Sequence, residues 1–358
     1  MTLLGLDIGG ANIKGADETG CAVCRPFAIW RDPAKLPSEI ASLLAEFPAA
    51  DRVAVTMTAE LADCFPTKSQ GVRFILETIR GTVEPLFSQR KLASSQSGIS
   101  PLSRVIVWST SGTFMNVDEA RENSTKVAAA NWHALATWCG RLAPTGAGIL
   151  VDIGTTTTDL IPLSNGKPVS NGLTDLGRLQ SGELSYSGIR RTPLCAVAQS
   201  VPFRGGYCSL AAELFATTLD VYLLTGAIAE DPDDQDTANG KPATKMGAYD
   251  RMVRMLCCDR DEVSFEEAVQ IAQFLADVQR KRLAGALDRV LHRLAGPCET
   301  VIVSGSGTFL ATDLIREHRK TKESHIVRLW EQQSPAVAEA ACAYAVAVLG
   351  SELPTKNR

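Results

Sequence analysis

Short apolar runs that end in glycine, separated by stretches with apolar residues at three- and four-residue spacing, run through this chain and predict an α/β fold. Leu3-Leu4-Gly5-Leu6-Asp7-Ile8 reads as a buried strand entering the turn Gly9-Gly10, and Ala11-Asn12-Ile13-Lys14-Gly15-Ala16 as the returning strand of a hairpin. A second copy stands at Gly148-Ile149-Leu150-Val151-Asp152-Ile153-Gly154, followed by Thr155-Thr156-Thr157-Thr158-Asp159-Leu160-Ile161. Asp-Ile-Gly thus recurs at a domain-sized interval, which predicts a duplicated architecture. The expected lobes are 1–145, completed by a C-terminal helix over 334–350, and 146–333, with a central cleft where ligands tend to bind. Further strands are expected over 52–58, 104–108 and 300–303, the last entering Ser304-Gly305-Ser306-Gly307. Helical spacing covers 35–47, 72–86, the Ala-rich 124–142, 210–225, 265–294 and 334–349, while the acidic, turn-rich 230–242 reads as an exposed loop.

Composition narrows the class. With 358 residues, 45% hydrophobic and 21% charged, the chain has apolar material for about two domains of roughly 150 residues, which excludes disorder as the overall state. Its 36 Lys+Arg against 40 Asp+Glu give a net charge of -4, so no global basic field points to nucleic acid or an anionic membrane, and any anion site must be local. The longest mostly apolar stretch, 340–349, is shorter than the roughly 18 residues of a membrane span, and Asp7 interrupts the N-terminus before a targeting signal could form. A cytoplasmic protein is the expectation. The ten cysteines are scattered, so free, mostly buried thiols are expected. Cys21 and Cys24 have zinc-knuckle spacing without a second pair, and His133, His292, His318 and His325 form no ligand cluster, so no zinc is expected. Trp132 and Trp138 read as core.

The chemistry concentrates at the glycine turns. A strand ending in Asp-Ile-Gly brings backbone N–H groups and a carboxylate together, a combination that can hold phosphate oxygens and a hydrated divalent cation. Asp7 and Asp152 are the metal-side carboxylates, and Gly9, Gly10, Asn12, Gly154, Thr155, Thr156, Thr157, Gly305 and Gly307 the phosphate-side residues. Lys14 is the nearest cation in sequence to the first turn. Arg190 and Arg191, just before Pro193, offer two guanidinium forks suited to a phosphate or a carboxylate.

Residues 5–16, 148–161 and 300–309 resemble the phosphate-1, phosphate-2 and adenosine-type elements of the actin, sugar kinase and Hsp70 superfamily, which implies a two-lobed, actin-like ATPase (ribonuclease H-like) fold. More closely, the chain resembles the hydantoinase/oxoprolinase-like branch known from methanofuran biosynthesis and tetrahydromethanopterin-linked one-carbon metabolism. The segments that carry this likeness are Asp7–Asn12, Thr56–Leu61, Ala128–His133, Asp152–Thr157, Gly182–Tyr186 with Arg190–Pro193, and Ala212–Thr217. The resemblance implies a transferase that joins an aminomethylfuran methyl diphosphate to the phenol of a γ-glutamyl-tyramine unit, releasing diphosphate with the help of Mg²⁺ or another divalent cation. ATP is not expected, because the leaving group already stores the energy for the bond. A phenol of pKa about 10 needs a proton acceptor, and Glu60 and Asp159 are both candidates. Thr56, Thr58 and Lys68 surround Glu60 in sequence, and Asn131, Glu183 and Tyr186 join the site through the same likeness. Small-molecule substrates are the implied partners, and a homo-oligomer stays open. Tyramine, tyrosine and their glutamylated forms present the same phenol. An ATP-dependent kinase, a hydantoinase-type hydrolase and a non-catalytic nucleotide-binding scaffold are the alternatives on the same fold.

Overall fold

The computed structural model describes residues 2–93 and 104–353. In the first sheet, β1 (Thr2–Ile8), β2 (Asn12–Asp17) and β3 (Ala22–Pro26) are consecutive antiparallel neighbours. β4 (Ala50–Met57) and β5 (Val105–Trp108) add in parallel and β6 (Phe114–Asn116) antiparallel, giving the order β3-β2-β1-β4-β5-β6. The second sheet uses β7 (Ala147–Ile153), β8 (Thr158–Ser164), β9 (Lys167–Pro168) and β10 (Leu184–Ser185), followed after the small hairpin β11 (Ser200–Phe203) and β12 (Gly206–Ser209) by β13 (Cys298–Ser304) and β14 (His325–Arg328). Its order is β10-β8-β7-β13-β14, with β9 beside β8. Each sheet therefore sets a hairpin of one glycine turn beside strands that arrive later in the chain, the duplication expected from the repeated Asp-Ile-Gly.

The chain divides into two compact units, Met1–Leu150 with Ile161–Arg178 and Ile326–Arg358, and Val151–Leu160 with Leu179–His325. In the first, Leu4, Leu6, Ile8, Val53, Val55 and Met57 alternate onto one face of the sheet and are buried against Ile40, Leu43, Ile75, Leu76 and Ile79 of the helices Leu36–Ala45 and Lys68–Ala93. Each such side chain contributes about 1.5–3 kcal/mol by burial. The opposite face carries Asp7 and Thr56 and packs against the Ala-rich helix Ala341–Ser351, whose small side chains admit close approach. In the second unit, Ser264 and Glu267 exchange capping hydrogen bonds of 2.9 and 3.2 Å at the start of the helix Phe265–Leu291.

Three helices differ from the sequence expectation, each for a tertiary reason. The Ala-rich 124–142 breaks into Ser124–Val127 and Asn131–Cys139, because Ala129 takes a left-handed conformation with φ 46°. Helix 210–225 shrinks to Thr218–Thr225: Thr217 forms a bridge with Pro193 and its N–H donates to Asp220 at the helix start, and residues 212–215 are bends rather than helix. The C-terminal helix splits into Pro335–Glu339 and Ala341–Ser351, and the Lys14 ammonium donates to the Glu339 carbonyl at the break, at 2.8 Å. None of the ten cysteines, all among the described residues, is in a disulfide, but only Cys139 and Cys298 are buried, fewer than expected. Among the described residues no helix is long and apolar enough to cross a membrane.

Candidate functional site

In the first unit, the carboxyl ends of β1 and β4 bring polar groups into an apolar setting. The β1–β4 and β1–β2 registers pair Asp7 with Thr56 and with Lys14. Asp7 Oδ1 and Thr56 Oγ1 are buried without a hydrogen-bond partner, and burial pushes the Asp7 carboxyl up to about 6 although the Lys14 charge opposes the shift. A buried acceptor left unpaired costs about 1–3 kcal/mol, so such atoms mark places where a ligand, ion or water completes the site. The glycine turn closes with Gly9 N–H donating to Asn12 O at 2.9 Å, Gly10 O accepts from Ile29, and Thr58 Oγ1 lies close beside Gly9.

Glu60 follows β4 on the short turn Ala59–Leu61. It is 1% exposed, and neither carboxylate oxygen has a hydrogen-bond partner. Burial raises its pKa to about 7; the Asp175 charge adds to the rise, while the backbone amides of Glu60 and Ala129 and the Lys68 ammonium oppose it. The two amides act by proximity, since neither meets hydrogen-bonding geometry with the carboxylate. Lys68 and Asp175 pair at 3.5 Å. Gly71 lets the helix Lys68–Ala93 reach this turn, since a Cβ there would stand 2.4 Å from Glu60 O and 2.7 Å from its Cα. Ala129, whose left-handed backbone interrupts the Ala-rich segment, brings its amide to Glu60, and strained non-glycine backbone of this kind gathers at functional sites.

Asn131 Oδ1 accepts from Trp132 N–H at 2.8 Å and starts the next helix. Trp132 and Trp138 are buried as expected, and so is Trp108; the indole N–H groups of Trp132 and Trp108 lack a hydrogen-bond partner. Arg178, 1% exposed, stacks over Trp132 at 4.0 Å, and His133 lies between the two indoles, 5.3 and 5.9 Å from them. Burial and the Arg178 charge hold His133 down at about 4, so its ring is neutral at pH 7.

The second unit repeats the hairpin. Gly154 N–H donates to Thr157 O at 2.8 Å, and the Thr155 and Thr156 hydroxyls are 3.5 Å apart. The amides of Arg190 and Arg191 both donate to Thr155 O at 3.0 Å and that of Ile189 to Gly154 O at 3.1 Å, so this segment covers the turn with its backbone. The third glycine turn packs on the end of β7: Gly307 N–H donates to Ile153 O, and a Cβ on Gly305 would stand 2.6 Å from Asp152 Oδ1. Asp152, Gly154, Thr155, Thr156, Thr157, Gly305 and Gly307 therefore come together.

The remaining expected site residues have the following surroundings. Asp159 sits on β8 opposite Leu184. Glu183 is fully buried and pairs with Arg293 at 3.0 Å, and Tyr186 is 61% exposed. The Arg190 guanidinium is taken by Asp234 of the acidic loop at 2.5 Å; burial alone would raise the Asp234 pKa, but this ion pair and the Asp236 amide bring it below its usual value. Gly71, Ala129, Asp175 and Arg178 were not singled out from sequence. Only Gly71 left a signal, a glycine inside a helical pattern.

The sequence profile described as Hydantoinase/oxoprolinase matches residues 51–350. Two similar proteins are named (4-{4-[2-(γ-L-glutamylamino)ethyl]phenoxymethyl}furan-2-yl)methanamine synthase. The one from Methanocaldococcus jannaschii is 32% identical over 98% of this chain and 97% of its own length, and the one from Methanococcus vannielii is 32% identical over 56% of this chain and 89% of its own. Among solved structures, a nucleotide-free acetone carboxylase superposes over 97% of this chain and 70% of its own with a TM-score of 0.56 at 11% identity, a likeness of fold alone. The match over most of its length, together with two mixed sheets built on repeated glycine hairpins, shows that the chain belongs to the hydantoinase/oxoprolinase family and has the actin-like α/β fold.

Proposed function

We propose that this chain is an alkyl transferase that forms an aryl ether, joining the phenol of a γ-glutamyl-tyramine-type acceptor to an aminomethylfuran methyl diphosphate and releasing diphosphate. The observation that carries the reading is Glu60: a carboxyl buried without a hydrogen-bond partner and held at about 7 is poised to take a proton at neutral pH, where an ordinary glutamate would be a weak base. The phenoxymethylfuran in the names of the two relatives is the ether such a step would make.

Glu60 accepts the phenolic proton, and the phenolate oxygen supplies the electron pair of the new C–O bond to the exocyclic furan carbon. The bond from that carbon to diphosphate breaks with its electron pair on the departing diphosphate, and the furan ring delocalises the positive charge that develops. Backbone N–H groups at the glycine turns suit the phosphate oxygens, because such donors are fixed before charge develops. The unpartnered Asp7 Oδ1 fits an oxygen-seeking divalent cation, which when bound neutralises charge on the leaving diphosphate. Asp152 occupies the same position in the second hairpin. ATP has no part in this chemistry.

The test is mass spectrometry of products after incubating the protein with the furfuryl diphosphate, Mg²⁺ and γ-glutamyl-tyramine, with diphosphate release followed with and without ATP. Ether and diphosphate formed in equal amounts without ATP are expected. Strict ATP dependence, or ADP produced in step with product, overturns the reading in favour of a kinase.

A further inference from the structure

The second unit contains a cavity of ≈ 260 Å³ that the proposed reaction leaves without a role, bounded by β10 and the helix Phe265–Leu291. Arg282, Ala286 and Arg289 line it at i, i+4 and i+7, so one stripe of the helix presents two guanidinium groups separated by a methyl group. Ser185, Tyr186 and Ser187 face them, adding two hydroxyls and a ring. At Gly182, in a left-handed conformation of φ 78°, a Cβ would stand 3.0 Å from Arg289 Nε, so the absent side chain leaves room for the guanidinium.

The charges in this cavity are unbalanced. No lining residue is acidic, and among the described residues neither Arg282 nor Arg289 forms an ion pair with a carboxylate. The neighbouring acids are used elsewhere: Glu183 pairs with Arg293, and Asp288 lies 3.5 Å from both His292 and His318. Arg282 is steadied by donating from Nη1 to Ala196 O at 2.9 Å. The cavity also touches the phosphate-type turn through the chain itself. Ser187 O accepts from Thr158 Oγ1 at 2.7 Å, and the next residue, Gly188, packs its backbone on Thr155 and Thr156. At ≈ 260 Å³ it is smaller than the roughly 300–1,000 Å³ of pockets that enclose whole ligands, and so suits the end of one.

We propose that this cavity binds an amino-acid-type carboxylate, such as a glutamyl end, with Arg282 and Arg289 converging on that one carboxylate. Planar guanidinium forks match a carboxylate by paired N–H···O bonds, and the exposed Tyr186 ring offers a face to an adjacent ammonium group, as a glutamyl tail carries. Of the Arg190–Arg191 pair expected to bind an anion, Arg190 is already held by Asp234. The choice of a glutamyl ligand rests on the reading under Proposed function, whereas the anion pocket rests on the cavity alone.

Binding measured by calorimetry separates the two. Wild-type protein and the variants Arg282→Ala, Arg289→Ala and Arg289→Lys would be titrated with γ-glutamyl-tyramine, tyramine and inorganic diphosphate, with thermal melts confirming that each variant is folded. Wild type should bind γ-glutamyl-tyramine at least about tenfold more tightly than tyramine, each alanine variant should lose about tenfold for the glutamylated ligand only, and lysine should restore part of the loss. Equal affinity for the two amines, unchanged binding in both alanine variants, or a parallel loss for tyramine overturns the proposal. A loss confined to diphosphate overturns it too, by making the cavity a leaving-group site. Ether formation, assayed separately, decides the reaction: γ-glutamyl-tyramine bound through the arginines but never alkylated refutes the transferase reading and leaves the pocket standing.

Discussion

Replacing Glu60 by Gln should move stability and activity in opposite directions. The substitution keeps the volume of a side chain that is 1% exposed and removes only its ionisation. In the folded protein the carboxyl titrates at about 7, against 4.5 when unperturbed. Below 4.5 both states are protonated and the residue costs nothing on this account. As pH rises from 4.5 to 7 the unfolded chain ionises while the folded one holds its proton, so stability is lost, and above 7 the loss levels off at about 3 kcal/mol. Glu60→Gln should therefore be more stable than wild type by about 2–3 kcal/mol at pH 8, with most of that advantage gone at pH 5. Denaturant melts of both proteins at the two pH values isolate this difference, since every other titrating group is shared. Turnover should fall about 100-fold or more, the usual loss on removing a general base. An advantage that does not grow with pH would show that the carboxyl is not buried in an ionisation-opposing site, and near-normal ether formation by the glutamine variant would remove Glu60 from the proton transfer.

Gly71→Ala places a methyl group 2.4 Å from Glu60 O, against backbone that cannot rotate away, so it should cost about 1–3 kcal/mol by overpacking and reduce kcat by an order of magnitude or more through displacement of Glu60; unchanged kcat in a melted-and-refolded control would refute the positioning. Asp7→Asn should lower turnover about 100-fold and weaken the response to Mg²⁺, yet gain up to about 3 kcal/mol of stability above pH 6, because the wild-type pKa of about 6 makes ionisation on folding costly; a Mg²⁺ titration with unchanged midpoint and rate would deny Asp7 its metal role. Arg251→Ala leaves the buried Asp220, otherwise 2.7 Å from Arg251 Nε, without its counter-charge and should destabilise the second unit by about 3–5 kcal/mol, readable as a drop in the unfolding midpoint; a loss below 1 kcal/mol would mean that water reaches the pair.

The parts of this protein that its sequence determined are those governed by neighbours along the chain. Strand and turn chemistry at Asp7–Asn12 and Asp152–Thr157 is local, so both hairpins, their duplication and the α/β class were legible, as was the helix that begins at the Ser264–Glu267 cap. Periodicity misjudged helices where distant groups decide the backbone. Ala129 turns left-handed within a run of good helix formers, and Thr217 leaves a helical pattern to bridge Pro193. The site divides in the same way. Which carboxylates end the strands could be read from the sequence, but their ionisation could not, because the shifts at Asp7 and Glu60 come first from burial, and burial is made by chain segments far apart in sequence. The lysine Lys68 and the acid Asp175, which act on Glu60 with opposite sign, are 107 residues apart, and Arg190 meets Asp234 across 44. Charge in a protein interior depends on the surrounding dielectric and on nearby countercharges. Both exist only once the chain has folded, so tertiary structure alone decided which of the acids in the sequence are buried where ionisation is opposed.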